Sequence, residues 1–423
     1  MAKVCLAVDV GKKSSCYALY RTVDITAGSE GMETLIRPKK IPPSRQRLEE
    51  LLSEAKGKAS GDGLAVAMES TGIYSKPLED FFRGRGIEVI VINPIITGKK
   101  AIDGLRETKT DKKDTRKIAL VYFRGQSNRQ REVTDDELRR QSYSRFLERR
   151  KSDLARMKTL LKSILYNVAP EYEDIASGSN IFSDSMMALI RKYPCVGSIR
   201  SAREEDMVET MVKAGGERQR KAATEFVSRL KKACDDSISQ TRRDSPECEE
   251  IVRLIDDIRR EQKTVDSMER KLIDLCKDTR LFNVLLTFEG IGEALAAHLT
   301  AEIGNMERFG KRTSLQSFAG IDPKRRQSSQ TLDSNGAIVK RGNSHLRRWL
   351  TMATLVMVMH KQFGGVAEKV EAYYRKKRGT KENGGATHHH LYALIAATNK
   401  LVRIIKCLTN YRKSEKRKCR FDE

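Results

Sequence analysis

Over the first 125 or so residues, short apolar runs alternate with segments of helical spacing. Lys3-Val-Cys-Leu-Ala-Val-Asp9 reads as a buried strand ending on an acid. Gly11-Lys12-Lys13 reads as a turn into a second strand over Ser15 to Tyr20. A third strand is expected near Met32–Arg37. Leu48, Leu51 and Leu52 share one face of a helix running from Ser44 to Ala55. Leu64-Ala-Val-Ala-Met68 predicts another strand, and it too ends on an acid, Glu69. Ser70-Thr71-Gly72 turns into a helix carrying Leu78, Phe81 and Phe82, and Val89 to Ile92 is a further strand closed by Asn93-Pro94. Helices follow near 95–105 and from the stretch opening at Arg106 to about Phe123. The order β-β-β-α-β-α-β-α-α is that of an α/β domain with an antiparallel start and a parallel continuation, assigned to residues 1–128.

The period then changes. Leu147, Leu154, Leu161 and Val168 recur every seven residues, with Tyr143, Met157 and Ile164 filling a second seam that Arg150 breaks. This pattern predicts a long coiled-coil-like helix over 137–168, ending before Pro170. A second one is expected from Cys248 to Cys276, on Ile251, Leu254, Ile258, Val265, Met268, Leu272 and Leu275, interrupted by Glu261. The two seams pair within one chain or between chains to drive dimerisation; packing on a globular core is the plainer alternative. Residues 175–240 between them read as a small helical subdomain, and 129–280 is assigned as a coiled-coil and helical insert. From Leu285 to Leu299 the pattern resembles a helix-hairpin-helix around Gly290-Ile-Gly292, or a plain helix turn. The remainder is mostly helical, with 281–410 as a further domain and 411–423 as a basic tail. His388-His389-His390 fits a helix start better than a metal site, because consecutive residues point in different directions.

Charge narrows the function. The 81 Lys+Arg outnumber the 57 Asp+Glu, for a net charge of +24, which favours a polyanionic partner and nucleic acid first. With 39% hydrophobic residues the chain has material for real cores. The eight cysteines form no CxxC pair and no Cys/His set of zinc spacing, so free thiols in a reducing cytoplasm are expected. No signal peptide and no membrane-spanning run is read, which also points to the cytoplasm of a prokaryote, beside the nucleoid.

The candidate chemistry is acidic. Asp111 and Asp114 lie three apart among six basic residues in Arg106-Glu-Thr-Lys109-Thr-Asp111-Lys-Lys-Asp114-Thr-Arg116-Lys117, and so share a helix face. They are either first-turn acids that suit the helix dipole or metal ligands. Asp9 and Glu69 end apolar strands, where they either cap the next turn or reach the edge at which ligands gather in α/β sheets. Four converging carboxylates in a basic protein call for divalent cations, and a Mg²⁺ pair about 4 Å apart is the usual apparatus for phosphodiester cleavage. Further on, Ser328 and Ser329 are flanked by Lys324, Arg325, Arg326, Lys340, Arg341, Arg347 and Arg348. This is either a serine nucleophile with its phosphate clamp or a basic loop gripping a nucleic-acid backbone.

Val8-Asp9-Val-Gly11-Lys12, Met68-Glu69-Ser-Thr-Gly72-Ile-Tyr74, Asn93-Pro94 and Lys109-Thr-Asp111-Lys-Lys-Asp114 resemble, in order and style, the DEDD insertion-sequence transposases of family one-ten. Members of that family guided by RNA are called bridge recombinases. Ala319-Gly-Ile-Asp-Pro323 through Lys340-Arg-Gly-Asn343 and Leu346-Arg347 resemble its second, transposase domain. The resemblance implies an RuvC-like N-terminal domain of RNase H type with Asp9, Glu69, Asp111 and Asp114 holding Mg²⁺, or Mn²⁺. It further implies a C-terminal serine that links covalently to DNA, a structured guide (bridge) RNA, and donor and target DNA as substrates. An oligomer is also implied, a dimer and in the synaptic complex a tetramer, in which the acids of one protomer complete the serine site of another. Lys12, Lys109, Arg325, Arg326, Lys340, Arg341 and Arg347 are the expected nucleic-acid contacts. The family pattern has Ser-Gly where this chain has Ser328-Ser329-Gln330. Counting from Pro323, and back from Gly336, favours Ser328, with Ser329 as the alternative. Other readings of the residues are a junction nuclease using water, a non-catalytic RNA- or DNA-binding protein, and an actin-like ATPase on Asp9-Val-Gly11-Lys12.

Overall fold

The computed structural model describes residues 3–24, 31–69, 74–92, 111–125, 134–176, 180–311, 313–328, 332–360, 364–379 and 389–411. It divides into two compact units, residues 1–133 and 134–423.

In the first unit the strands are β1 (Val4–Asp9), β2 (Ser15–Thr22), β3 (Met32–Ile41), β4 (Leu64–Glu69) and β5 (Glu88–Ile92). Helix α1 (Arg45–Ala59) follows β3, α2 (Ser75–Arg83) lies between β4 and β5, and α3 spans Asp111–Phe123. The sheet order is β3-β2-β1-β4-β5. β1 and β2 form an antiparallel hairpin and β2 pairs antiparallel with β3, whereas β1–β4 and β4–β5 are parallel. The antiparallel start and parallel continuation therefore stand, with β3 extending to Ile41 and not stopping at Arg37. The helix expected near 95–105 and the Ser70-Thr71-Gly72 turn lie outside the described residues.

Both faces of the sheet are covered, which is why β1 and β4 read as continuous apolar runs and not as alternating ones. Val4, Leu6 and Val8 pack with Val66, Met68 and the α1 leucines on one face. Cys5 and Ala7 pack with Ala65, Ala67 and the Ile118–Phe123 segment of α3 on the other. The small residues at 5, 7, 65 and 67 let α3 approach the sheet closely. Tyr20 hydroxyl and Thr115 Oγ1, 3.2 Å apart, tie the start of α3 to β2. This mixed sheet is consistent with the RuvC-like N-terminal domain that the sequence resemblance implies.

In the second unit, α4 (Asp135–Val168) is followed by α5 (Glu171–Ile175), α6 (Asp184–Lys192), α7 (Val196–Ser201), α8 (Glu204–Gly215) and α9 (Arg220–Asp235). Then come α10 (Pro246–Cys276), α11 (Arg280–Leu286), α12 (Glu293–Ile303) and α13 (Ser314–Ala319). The strands β6 (Pro323–Ser328) and β7 (Leu332–Ile338) precede α14 (Ser344–Met359), α15 (Gly365–Arg378) and α16 (His390–Tyr411). A capping box starts α4: Thr134 accepts from the Glu137 amide, Glu137 accepts from the Thr134 amide, and Asp135, Asp136 and Glu137 complement the helix dipole.

α4 and α10 pack against each other within the chain. Leu147, Leu154, Leu161 and Val168 of α4 are buried in the same core as Ile251, Ile258, Val265, Met268 and Leu272 of α10. Ile255 and Cys276 are buried while Leu254 and Leu275 are only partly so. A straight helix of 3.6 residues per turn drifts off a strict seven-residue repeat and brings the neighbouring position inward. The expectation that these seams drive dimerisation is accordingly revised: they close on one another inside the protomer, and Leu154 and Leu161 are core residues of one chain. The two breaks in the pattern meet, since Arg150 Nη2 donates to Glu261 Oε2. The same core continues into α11–α16.

Candidate active site

Asp9 and Glu69 end neighbouring parallel strands, one residue beyond the Val8↔Met68 pair of the register. Side chains alternate along a strand, so Asp9 follows Cys5 and Ala7, and Glu69 follows Ala65 and Ala67, onto the face that α3 covers. Both acids are partly buried. The chain leaves Asp9 through a tight turn in which a Cβ on Gly11 would sit 2.2 Å from the Ser14 carbonyl oxygen, and the Gly11 amide donates to Ser15 Oγ at 3.3 Å. Glycine at 11 is a steric requirement of the hairpin that presents Asp9 at its end. Lys12 is exposed on that turn.

Asp111 and Asp114 occupy the first turn of α3, which packs on β1, β2 and β4. Asp114 pairs with Lys117 at 3.7 Å. The side chain of Asp111 lies outside the described residues, as does all of Lys109. Carboxylates are hard oxygen donors of the kind that suits Mg²⁺ or Mn²⁺. Among the described residues, however, no group of three or more His, Cys, Asp or Glu forms a cluster able to hold a metal. The structure thus sets Asp9 beside Glu69 on the α3 face, with Asp114 on the covering helix.

The segment holding the candidate serines forms a β-hairpin. β6 and β7 pair antiparallel, from Pro323↔Ile338 to Ser328↔Leu332. Ser328 is the last residue of β6, at the tip; Ser329 lies outside the described residues, as do the side chains of Arg325 and Arg326. The base of the hairpin is tightly bound. Val339 donates to the Asp322 carbonyl at 2.9 Å, Lys340 to that of Gly320 at 3.1 Å, and Asn343 to that of Phe318 at 2.8 Å. Gly320 has φ +69°, and a Cβ there would meet the Arg341 carbonyl oxygen at 2.8 Å. Lys340 itself takes the left-handed region at φ 55°. Lys340 and Arg341 are exposed, whereas Arg347 is half-buried and donates to the Ala319 carbonyl at 2.9 Å. Arg347 therefore serves the hairpin base, a role the sequence did not suggest.

A transposase family model of the IS110 DEDD type matches residues 8–170, and that of the transposase IS116/IS110/IS902 family matches residues 282–374. Together they cover more than half of the chain. The chain belongs to the IS110 family of DEDD transposases. It is a DNA transposase, an enzyme of DNA recombination, and its substrates are DNA. No curated protein matches the transposase over its sequence. The first match runs from the end of β1 through the whole of α4, with all four acids; the second runs from within α11 through α14 and most of α15, with the serine hairpin. No helix of the described residues is long and apolar enough to cross a membrane.

The polar groups that sequence reasoning missed lie behind the hairpin. Glu302, fully buried near the end of α12, accepts from Arg145 Nε and Nη2 at 3.0 Å each and from Asn343 Nδ2 at 2.6 Å. Glu148 accepts from Arg348 at 2.7 Å and from His345 at 2.5 Å. His298 stacks on Trp349 with ring centroids 3.8 Å apart, and its Nδ1 lies 2.8 Å from Ser144 Oγ. Burial pushes the His298 imidazole down to about 3, and Lys151 and Arg348 add to the shift. The signal available in the sequence was the lone carboxylate in Ala-Ala-His298-Leu-Thr-Ala-Glu302-Ile, an otherwise apolar helix where an acid needs a partner.

Proposed function

We propose that the transposase is RNA-guided and divalent-metal-dependent, and that it exchanges strands between donor and target DNA through a covalent phosphoserine. The observation that carries this reading is the placement of Asp9 beside Glu69, on the face of the sheet covered by the helix of Asp111 and Asp114. These four carboxylates would hold Mg²⁺ or Mn²⁺, and the bound cation supplies Lewis-acid stabilisation of charge on the phosphate oxygens. Ser328 Oγ attacks the scissile phosphorus; the P–Oγ bond forms as the P–O bond to deoxyribose breaks, and the departing hydroxyl takes up a proton. The incoming strand's hydroxyl reverses the step and restores the serine, so the phosphodiester energy is kept without ATP. Arg325, Arg326, Lys340 and Arg341 clamp the phosphate, while Lys12 and Lys109 contact nucleic acid near the acids. The partners are a structured bridge RNA, donor and target DNA, and further copies of the chain in a dimer or tetramer whose acids and serines complete one another's sites.

The acids test this reading. Asp9→Asn, Glu69→Gln, Asp111→Asn and Asp114→Asn should each lower strand cleavage at least 10³-fold while leaving the far-ultraviolet circular dichroism and RNA binding unchanged, and a chelator should do the same to the wild type. Cleavage that persists in Asp9→Asn or in the chelator contradicts it.

A further inference from the structure

The hairpin that carries Ser328 is made of two short polar strands, and two such strands alone are marginally stable in water. Something must hold it to the rest of the protein. Its base, residues 318–322 and 339–343, is stitched together by the backbone bonds described above. Asn343 then joins that base to the interior. Its Oδ1 accepts from the Leu346 amide at 3.1 Å and so caps α14, which fixes the orientation of the amide and aims Nδ2 at Glu302, 2.6 Å away. Glu302 is in turn held on both oxygens by the Arg145 fork, with Gln141 Nε2 at 3.5 Å. Arg145 and Gln141 belong to α4, a 34-residue helix packed along α10 and α12. Gly342 closes the arrangement, since a Cβ there would meet the Phe318 carbonyl oxygen at 2.5 Å and the Gly320 nitrogen at 2.8 Å.

We infer that Glu302 is a positioning residue: clamped by Arg145, it holds Asn343 and thereby sets the serine hairpin against the rigid frame of α4. Bidentate charge-assisted bonds fix a carboxylate in both position and rotation. A lever this long makes small errors at the base large at the tip, and a misplacement of about 1 Å at a reacting atom costs on the order of 10²-fold in rate. An ion pair serving only stability would have no need of Asn343, nor of its orientation.

The inference rests on the phosphoserine reading for its chemical readout alone. The test uses the full-length protein with its RNA and inverts the polarity of the contact. Asn343→Asp can still cap α14 but turns an acceptor toward Glu302; Glu302→Gln keeps the size but weakens the Arg145 fork. The double variant, Glu302→Gln with Asn343→Asp, restores one donor, one acceptor and one negative charge. Two quantities are read: the rate of covalent adduct formation on DNA, and hydrogen exchange of the β6 and β7 amides with the α4–α10 amides as internal control. Each single variant should slow adduct formation about 100-fold and raise hairpin exchange at least tenfold with the control unchanged; the double should recover both to within about tenfold of wild type. Single variants with wild-type hairpin exchange, or a double that recovers neither quantity, overturn the inference. If a single variant fails to fold, the double decides alone: wild-type hairpin exchange supports the clamp and raised exchange overturns it. If the wild type forms no serine adduct, the phosphoserine reading fails by itself, and hairpin exchange still decides the clamp in the same way.

Discussion

His298 shows how one buried residue makes the second unit sensitive to acid. Burial of its imidazole, with Lys151 and Arg348 adding to the effect, disfavours the proton in the folded state, and its titration falls from 6.5 to about 3. Between those values the unfolded chain binds a proton that the folded chain does not. The stabilisation is therefore complete above about pH 6.5 and is lost as the pH falls through the window toward 3. The limiting slope is about 1.4 kcal/mol per pH unit. Chemical denaturation of the wild type from pH 7 to 4 should show this loss, and His298→Gln, which does not titrate, should lower stability at pH 7 and flatten the profile by up to that slope. Parallel profiles for the two proteins would mean that His298 takes up its proton without unfolding.

At the scale of elements, the α4–α10 pair holds an ion pair, buried on its acidic side only, within an apolar seam. Glu261 is buried and its Oε1 has no hydrogen-bond partner among the described residues, whereas Arg150 is over a third exposed. The asymmetry sets the direction of each substitution. Arg150→Ala strands a buried carboxylate and should cost on the order of 3 kcal/mol; Glu261→Ala leaves an arginine that can reach water and should cost less. Arg150→Leu with Glu261→Leu should come close to wild-type stability. Thermal unfolding of the four proteins checks this, and a costlier Glu261→Ala than Arg150→Ala would reverse the assignment.

Much of this scale was legible in the sequence. Periodicity located both long helices to within two residues at their starts, and it found the strands ending on Asp9 and Glu69. It marked Arg150 and Glu261 as exceptions but could not join them, because their separation of 111 residues leaves no trace in local spacing. The serine hairpin escaped for a different reason: Pro-Lys-Arg-Arg-Gln-Ser has no apolar alternation, and its pairing is imposed by the glycine-lined base and not by strand propensity. The Glu302 clamp joins α4, α12 and the hairpin base, three segments that meet only in the folded unit.

For the whole molecule, a net charge of +24 supplies attraction to nucleic acid without specifying any chemistry. The proposed chemistry draws on both compact units: four acids in the first and a serine-tipped hairpin in the second. Both are required by strand exchange through phosphoserine, and only the acids by hydrolysis with water. Isolation of the protein–DNA adduct after reaction with donor DNA, digestion, and mass spectrometry of the nucleotide-bearing peptide separates the two most directly. The expected result is a nucleotide on Ser328 that disappears in Ser328→Ala together with recombination, while Ser329→Ala at most weakens both. Full cleavage by the Ser328→Ala/Ser329→Ala protein, with no nucleotide on any peptide, would contradict the phosphoserine route and assign the attack to water.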